Sequence, residues 1–211
     1  MPRAARPDSA EHGASVDGSI QDGSLPSDPL ALLAQWLPGD DDPARPVATL
    51  ATVDDDGLPD ARAVLLSSYR DGVFTFHTDR RSRKVEQLRS RPAAAIVLAW
   101  PERARQLVVR GPVSESPLDE QRRAYAGRSR YLQLLAWLNS DDLAQQDREA
   151  REAEWDRFDR EHDELSPPDA WTGFALRPLE VLLWEGSATG PSRRAHYRRQ
   201  DGAWRLDVRA G

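Results

Sequence analysis

Hydrophobic positions change their spacing several times along this chain. Val47 to Val53 alternates small and branched residues, the period of a half-buried strand. Asp54-Asp55-Asp56-Gly57 then signals a turn, with Gly57 suited to positive φ. Ala61 to Ser67 and Val73 to Thr78 read as two more strands, joined through Tyr69 to Gly72 as an antiparallel meander. Across Ser82 to Arg89 the period lengthens: Val85 and Leu88 are three apart, which predicts a helix closed by Pro92. Ala93 to Trp100 reads as a buried strand, paired as a hairpin with Arg105 to Ser114.

Pro117 to His162 is helical in composition, with Leu143, Ala150, Trp155 and Phe158 on its apolar side. Asp147/Arg151 and Asp156/Arg160 stand four apart, acid before base, the favourable order on a solvated helix face. Short strands follow at Gly173 to Leu176, Val181 to Trp184, Ala195 to Arg199 and Trp204 to Val208. Before all of this, residues 1–28 lack a periodic apolar face and read as a disordered tail. Pro29 to Leu37 predicts a short helix capped by Asp28, and Gly39 to Arg45 a polar linker. Roughly seven or eight short strands with helices inserted late predict one α+β, mainly antiparallel β domain over residues 29–211, built on a barrel.

Composition removes several function classes. Among 211 residues there is no cysteine, so disulfides, thiolate metal sites and cysteine nucleophiles are excluded. A formal net charge of −6 gives no overall basic footprint for nucleic acid. The longest apolar run, Ala93 to Trp100, is far short of the ~20 residues of a membrane helix. The start of the chain carries no apolar signal core, and the expectation is a cytoplasmic protein. His12, His77, His162 and His196 show no metal-ligand spacing, so no metal is expected, and no residue is assigned a catalytic role. His196 reads as an ordinary strand residue.

One count changes the picture. Lys84 is the single lysine against 28 arginines, and it stands in Ser82-Arg83-Lys84 where a strand gives way to a helix. A helix N-terminus presents free N–H groups and positive potential, and flanking cations add charge-assisted bonds, a combination that suits phosphate. The same residues also suit a solvated basic turn on a surface helix.

The order of motifs resembles the pyridoxamine 5′-phosphate oxidase family of FMN-binding split β-barrels. The series runs through Ala51-Thr-Val-Asp54, Arg62-Ala-Val-Leu-Leu66, Phe76-His77-Thr78, Ser82-Arg83-Lys84, Trp100 with Arg105-Gln106, and Ala136-Trp137. It continues in Trp171-Thr-Gly-Phe174, Leu183-Trp184-Glu-Gly186, Arg194 with Tyr197, and Trp204-Arg205-Leu206, so it covers about residues 30 to 211. The resemblance implies an FMN-dependent homodimer with flavins at its interface, acting on a small molecule.

It also implies site residues. Arg62, Arg83 and Lys84 would neutralise the FMN phosphate, with Thr78 adding a hydroxyl. The backbone through Ala63, Val64, Leu65 and Leu66 would lie along the ring system, and His77 replaces a family tyrosine. Gln106 would approach the flavin from the partner side, and Trp184 and Arg194 would close over it. A polar Gln-Ser pair of the family falls near Asp141-Asp142.

The substrate side departs from the pattern. Ser67 stands where the family has lysine, Tyr125 lies one residue from the family tyrosine, Leu132 replaces a serine, and Arg128 is retained. Gly190 and Ser192 replace the first Arg and the His of a C-terminal Arg-x-His-x-Arg element, with Arg193 nearby. A charged hydrogen bond contributes ~1.5–3 kcal/mol, so these losses imply a reshaped, less cationic pocket for another substrate, lined by Ser67, Tyr125, Arg128, Gly190 and Ser192. Relatives of this fold act on pyridoxine phosphates, phenazine precursors and other small aromatics. Three alternatives stay open: a true pyridoxine/pyridoxamine 5′-phosphate oxidase, a non-catalytic flavin-binding module, and a deazaflavin (F420) reductase.

Overall fold

A computed structural model of the chain describes residues 18–39 and 46–211. The meander forms as its alternation requires: β1 (Val47–Val53) pairs with β2 (Pro59–Arg70), which pairs with β3 (Val73–Asp79). The β2–β3 turn places Asp71 at φ 51 and Gly72 at φ 76, the left-handed pair that a tight hairpin needs. Helix α2 (Arg83–Ser90) follows, then β4 (Ala93–Trp100), a single 3₁₀ turn, and β5 (Arg105–Glu115). β4 and β5 are the expected hairpin, in register from Ala93↔Pro112 to Trp100↔Arg105.

After the helices come β6 (Trp171–Leu176), β7 (Glu180–Glu185), β8 (Arg193–Gln200) and β9 (Ala203–Ala210). The sheet order is β4-β1-β2-β3-β6-β5, and β5 pairs back on β4, closing a six-stranded antiparallel barrel. Nine strands form among the described residues, one on each of the runs named from the sequence and more than the rough total of seven or eight. β7, β8 and β9 extend the sheet away from β5.

β5 shares one edge between two strands. Arg105–Arg110 face β7, and Val113–Glu115 face β6. The hand-over occurs at Gly111, where a Cβ would fall 2.0 Å from the Arg177 carbonyl oxygen, so only glycine lets that crossing chain approach. Leu50, Leu66, Phe76, Ile96, Leu107 and Leu176 fill the interior at 0 to 2% exposure.

Helix α1 (Leu30–Trp36) buries Leu32, Leu33 and Trp36 against this core. The N-cap of α1 is Pro29, one residue after the expected Asp28, whose carboxylate accepts a hydrogen bond from the Leu30 N–H at 2.9 Å. The disordered tail needs correction over residues 18–28. Ile20 is fully buried, and its N–H donates to Glu185 Oε2 at 2.6 Å. Trp36 Nε1 donates to the Gly18 carbonyl at 2.7 Å, and the Tyr197 hydroxyl to the Pro26 carbonyl at 2.9 Å. The buried Ile20, Leu25 packed on the core, the Ser19 and Gln21 side chains and main-chain groups hold this stretch, a set that leaves no periodic signal. The tail's first 17 residues and residues 40–45 of the linker lie outside the described residues.

Between β5 and β6 run α3 (Leu118–Ala126), α4 (Arg130–Leu138), α5 (Asp141–Ala144) and α6 (Arg148–Glu161). No residue of α6 is buried. It meets α4 through Trp155 on Tyr131 and Phe158 on Trp137, ring centres 5.3 and 5.8 Å apart. The ion pairs on its face are Arg148–Glu152, Arg157–Glu154 and Arg157–Glu161, while Asp147 instead caps the helix at the Ala150 N–H. Among the described residues no helix is long and apolar enough to cross a membrane.

Candidate functional site

A cavity of about 640 Å³ opens between the outer face of β2 and β3, the start of α2, the α3–α4 loop, α4, α5 and the start of β6. Its two ends differ in chemistry.

The first end is built by one strand–turn–helix unit. Ser82 stands at the N-cap of α2, its hydroxyl donating to the Asp79 carbonyl at 2.7 Å. Lys84 Nζ donates to Thr78 Oγ1 at 3.0 Å, and Thr78 Oγ1 lies 3.5 Å from Ser82 Oγ. Burial lowers the Lys84 ammonium pKa, Arg62 adds to this, and Asp79 and Asp60 oppose it. Asp79 is held below the usual carboxylate range, chiefly by hydrogen bonding from Arg81 at 2.6 Å. An ammonium, two hydroxyls and a helix N-terminus facing one cavity form the donor set of a phosphate site. Those residues fit the phosphate of FMN.

Arg62 and Arg83 are directed elsewhere. Arg62 is half-buried at the barrel rim, with Nη2 2.6 Å from Asp60 and Nη1 2.6 Å from Thr52 Oγ1. Arg83 is exposed and reaches Asp54 at 3.1 Å. Asp60 at the start of β2 and Asp54 in the β1–β2 turn supply their nearest carboxylates, and in this structure Lys84 alone of the three expected cations lines the cavity. Alternation explains the rest of β2. Ala63 and Leu65 face the cavity with Val64 at its edge, whereas Leu66, at 2% exposure, belongs to the core.

The second end is assembled from four separate segments. His77 stacks on Trp171, ring centres 5.0 Å apart and planes 8° from parallel. Its Nδ1 lies 2.8 Å from Ser67 Oγ. Arg128, in the α3–α4 loop, sets its guanidinium 4.4 Å from the Trp171 ring centre and donates to Ser67 Oγ at 3.4 Å. Arginine only donates, so Ser67 Oγ accepts from Arg128 and shares one further proton with His77 Nδ1. The other ring nitrogen of His77, Nε2, is buried with no partner among the described residues. Burial, reinforced by Arg128, pulls the His77 pKa down to about 3, so the ring is neutral. Gly173 makes this stack possible, because a Cβ there would lie 2.6 Å from the His77 ring.

Tyr125 corrects an expectation. It is 1% exposed, its hydroxyl donates to the Gln133 carbonyl at 3.1 Å, and its ring meets the edge of Trp171. It supports the wall from behind rather than lining the cavity.

The remaining expected residues form a separate row. Gln106, Trp184 and Arg194 are cross-strand neighbours on β5, β7 and β8, away from the cavity of their own chain. Arg194 Nε is buried without a partner among the described residues. Gly190 and Ser192 lie in the β7–β8 loop, where Ser192 Oγ and Trp184 Nε1 approach Gly211. Arg193 does not fill the gap they leave: it donates to the Ile20 and Gln21 carbonyls at 2.7 and 3.0 Å. A single chain therefore does not bring Ser192 to Arg128.

Several lining residues were assigned no contact from the sequence, where Leu132 and Asp141-Asp142 entered only as replacements of family residues. Leu132, Leu135, Ala136 and Asn139 line the cavity from α4 at helical i, i+3, i+4, i+7 spacing, a face that was readable as such. Trp171 and Ser82 sat inside quoted motifs without an assigned part. Asp141 and Asp142 form an acidic rim at the start of α5.

Comparison with known proteins places this geometry in a lineage. A family model described as pyridoxamine 5′-phosphate oxidase matches residues 42–162. A pyridoxine/pyridoxamine 5′-phosphate oxidase of Pseudomonas paraeruginosa is 34% identical over 195 residues, covering 88% of this chain and 89% of that protein. Among solved structures, PhzG of Burkholderia lata 383, in complex with tetrahydrophenazine-1-carboxylic acid, superposes with a TM-score of 0.77 at 24% identity, covering 95% of this chain and 98% of that one. An FMN-binding, pyridoxamine 5′-phosphate oxidase-related protein of Nostoc punctiforme has a TM-score of 0.50 at 22% identity, covering 78% and 86%. The two structures share the fold, and the family match with its one-third identity to a full-length relative fixes the descent: the chain belongs to the pyridoxamine 5′-phosphate oxidase family.

Proposed function

We propose that this protein is an FMN-dependent oxidoreductase, working as a homodimer, that oxidises or reduces a small aromatic molecule at flavin N5. The observation that carries this reading is the Lys84–Thr78–Ser82 donor set opening on the cavity. Family membership and an FMN-binding protein of the same fold support it. Lys84, Thr78, Ser82 and the N-terminus of α2 would hold the cofactor phosphate, with Arg62 close enough to add charge and Arg83 able to do so on leaving Asp54. Ala63, Val64 and Leu65 offer a wall of modest side chains for a flat ring. When bound, the flavin supplies the two-electron chemistry, and the protein supplies position and electrostatics. The neutral His77 cannot act as a cationic acid near pH 7, and its Nδ1 serves to orient Ser67. Leu132, Leu135 and Ala136 keep water from the apolar body of a substrate. The Gln106–Trp184–Arg194 row would complete the site from the second copy, which gives the orphaned Arg194 Nε a ligand to meet.

The test is the visible absorption spectrum of the purified protein, with mass spectrometry of what heat releases. Flavin bands and released FMN are the expected result. Colourless protein that takes up no added FMN overturns the reading, and uptake of F420 in its place replaces the cofactor.

A second reading is a true pyridoxine/pyridoxamine 5′-phosphate oxidase. The 34% identical relative and the retained Arg128 favour it. Formation of pyridoxal phosphate from pyridoxamine 5′-phosphate at enzymatic rates would establish it.

A further inference from the structure

Arg128 is a half-buried cation that no carboxylate of the described residues pairs. Among the described residues it forms no ion pair, and its contacts are the Trp171 face at 4.4 Å and Ser67 Oγ at 3.4 Å. Burial lowers its pKa to about 10, a sign of how much hydration it has given up. A desolvated charge left uncompensated is costly in a folded protein, and here it lines an open cavity. The missing counter-charge therefore belongs to what enters.

The neighbourhood limits that charge. His77 is neutral, and Ser67 offers a hydroxyl already shared between His77 and Arg128. Lys84 stands at the other end with Thr78, and Arg81 is paired to Asp79. Asp141 and Asp142 add negative potential to the rim. A phosphate monoester brings a charge of roughly −1.5 to −2 and three acceptor oxygens, and this end provides one full positive charge. A carboxylate brings one charge and two oxygens, which match the fork of a single guanidinium. The apolar wall of Leu132, Leu135 and Ala136 receives a hydrocarbon body beside it.

We propose that the substrate of this protein is a cyclic or aromatic monocarboxylate whose carboxyl group is gripped by Arg128, and that a phosphate monoester is the poorer ligand at that end. This rests on the diverged-pocket reading of the function above.

The experiment is calorimetric titration of the FMN-saturated protein with 1-naphthoate, 1-naphthyl phosphate and 1-naphthamide. Naphthoate is expected to bind at least about tenfold tighter than the amide, the value of one charged hydrogen bond, and tighter than the phosphate. Arg128→Gln is expected to erase the advantage of naphthoate over the amide. Ser67→Lys supplies a second cation and is expected to bring the phosphate ahead of naphthoate. Phosphate binding as tight as naphthoate in the parent protein overturns the proposal. So does naphthoate binding that survives Arg128→Gln within about twofold, or silence from all three probes. Should Arg128→Gln fail to fold, the Ser67→Lys reversal decides, and its failure to appear counts against the proposal. If the parent protein takes up no flavin, the naphthoate and naphthamide titrations are run without it. A carboxylate preference lost in Arg128→Gln then upholds this inference while the cofactor reading falls.

Discussion

The two ends of the cavity hold their cations in opposite ways. Lys84 sits among groups that accept from it or balance it: Thr78 at 3.0 Å, with Asp79 and Asp60 both favouring its charge. Arg128 rests on an aromatic face with one long hydrogen bond and, among the described residues, no carboxylate. The first end comes from residues 78–84, one local turn of chain. The second needs residues 67, 77, 128 and 171 to meet from four separate places. A site built locally is stable in register with its own helix. A site built from distant segments depends on packing, and a small change in any one of them reshapes it.

The most damaging test removes what both ends stand on. Phe76 is fully buried, stacks on Phe174, and precedes His77 and Thr78 on β3. Phe76→Ala should cost about 3–5 kcal/mol of stability, read by chemical denaturation, with both ends failing together. Next, Lys84→Gln should strike one end alone. Losing a charged hydrogen bond of ~1.5–3 kcal/mol weakens FMN roughly 10- to 100-fold, measured by flavin fluorescence on titration, with the melting temperature of the flavin-free protein held. Gly173→Ala should strike the other end alone. Its Cβ would meet the His77 ring at 2.6 Å, so the ring must move, at ~1–3 kcal/mol by the usual cost of overpacking. Thermal denaturation reads the loss, and FMN affinity should stay near that of the parent.

The smallest effect concerns pH. The folded His77 pKa of about 3 lies below the ordinary 6.5, so the unfolded chain binds the proton first. Stability from this group is full above pH 6.5 and declines as pH falls towards 3. The loss should reach on the order of 1 kcal/mol near pH 5.5, and His77→Asn should flatten that part of the profile of melting temperature against pH. An equal slope in both proteins would place the titrating group elsewhere.

Much of the fold was legible because spacing reports it directly. β1 and β4 fall on their expected residues, and the change of period at Ser82 marks α2. Asp-Gly turns set the hairpins at residues 71–72 and 201–202. The local end of the site was legible for the same reason, since the odd lysine and the helix start lie together in sequence. What escaped depends on distance in the fold. Nothing local says that Trp171 backs both His77 and Arg128, or that Tyr125 turns its hydroxyl to Gln133. Arg62 and Arg83 were legible as cations near a phosphate; Asp60, two residues from Arg62 on the same face of β2, was a readable partner, whereas the pairing of Arg83 with Asp54 follows from how α2 docks beside the β1–β2 turn. The docking of residues 18–28 escaped because Glu185 and Arg193, which hold it, lie at the far end of the chain.

The helical segment from α3 to α6 begins and ends on neighbouring strands: the Ser116 N–H donates to the Gly173 carbonyl at 2.9 Å. Topologically it is an insertion. Lengthening such an excursion costs only about 0.6 kcal/mol per doubling in loop entropy, so it can drift without disturbing the barrel ladder. Arg128 and the apolar wall ride on this insertion, while Thr78 and Lys84 belong to the barrel and its attached helix. Evolution can therefore exchange one wall of the cavity while inheriting the other intact. A family descended from this scaffold would diversify in what it accepts sooner than in what it carries.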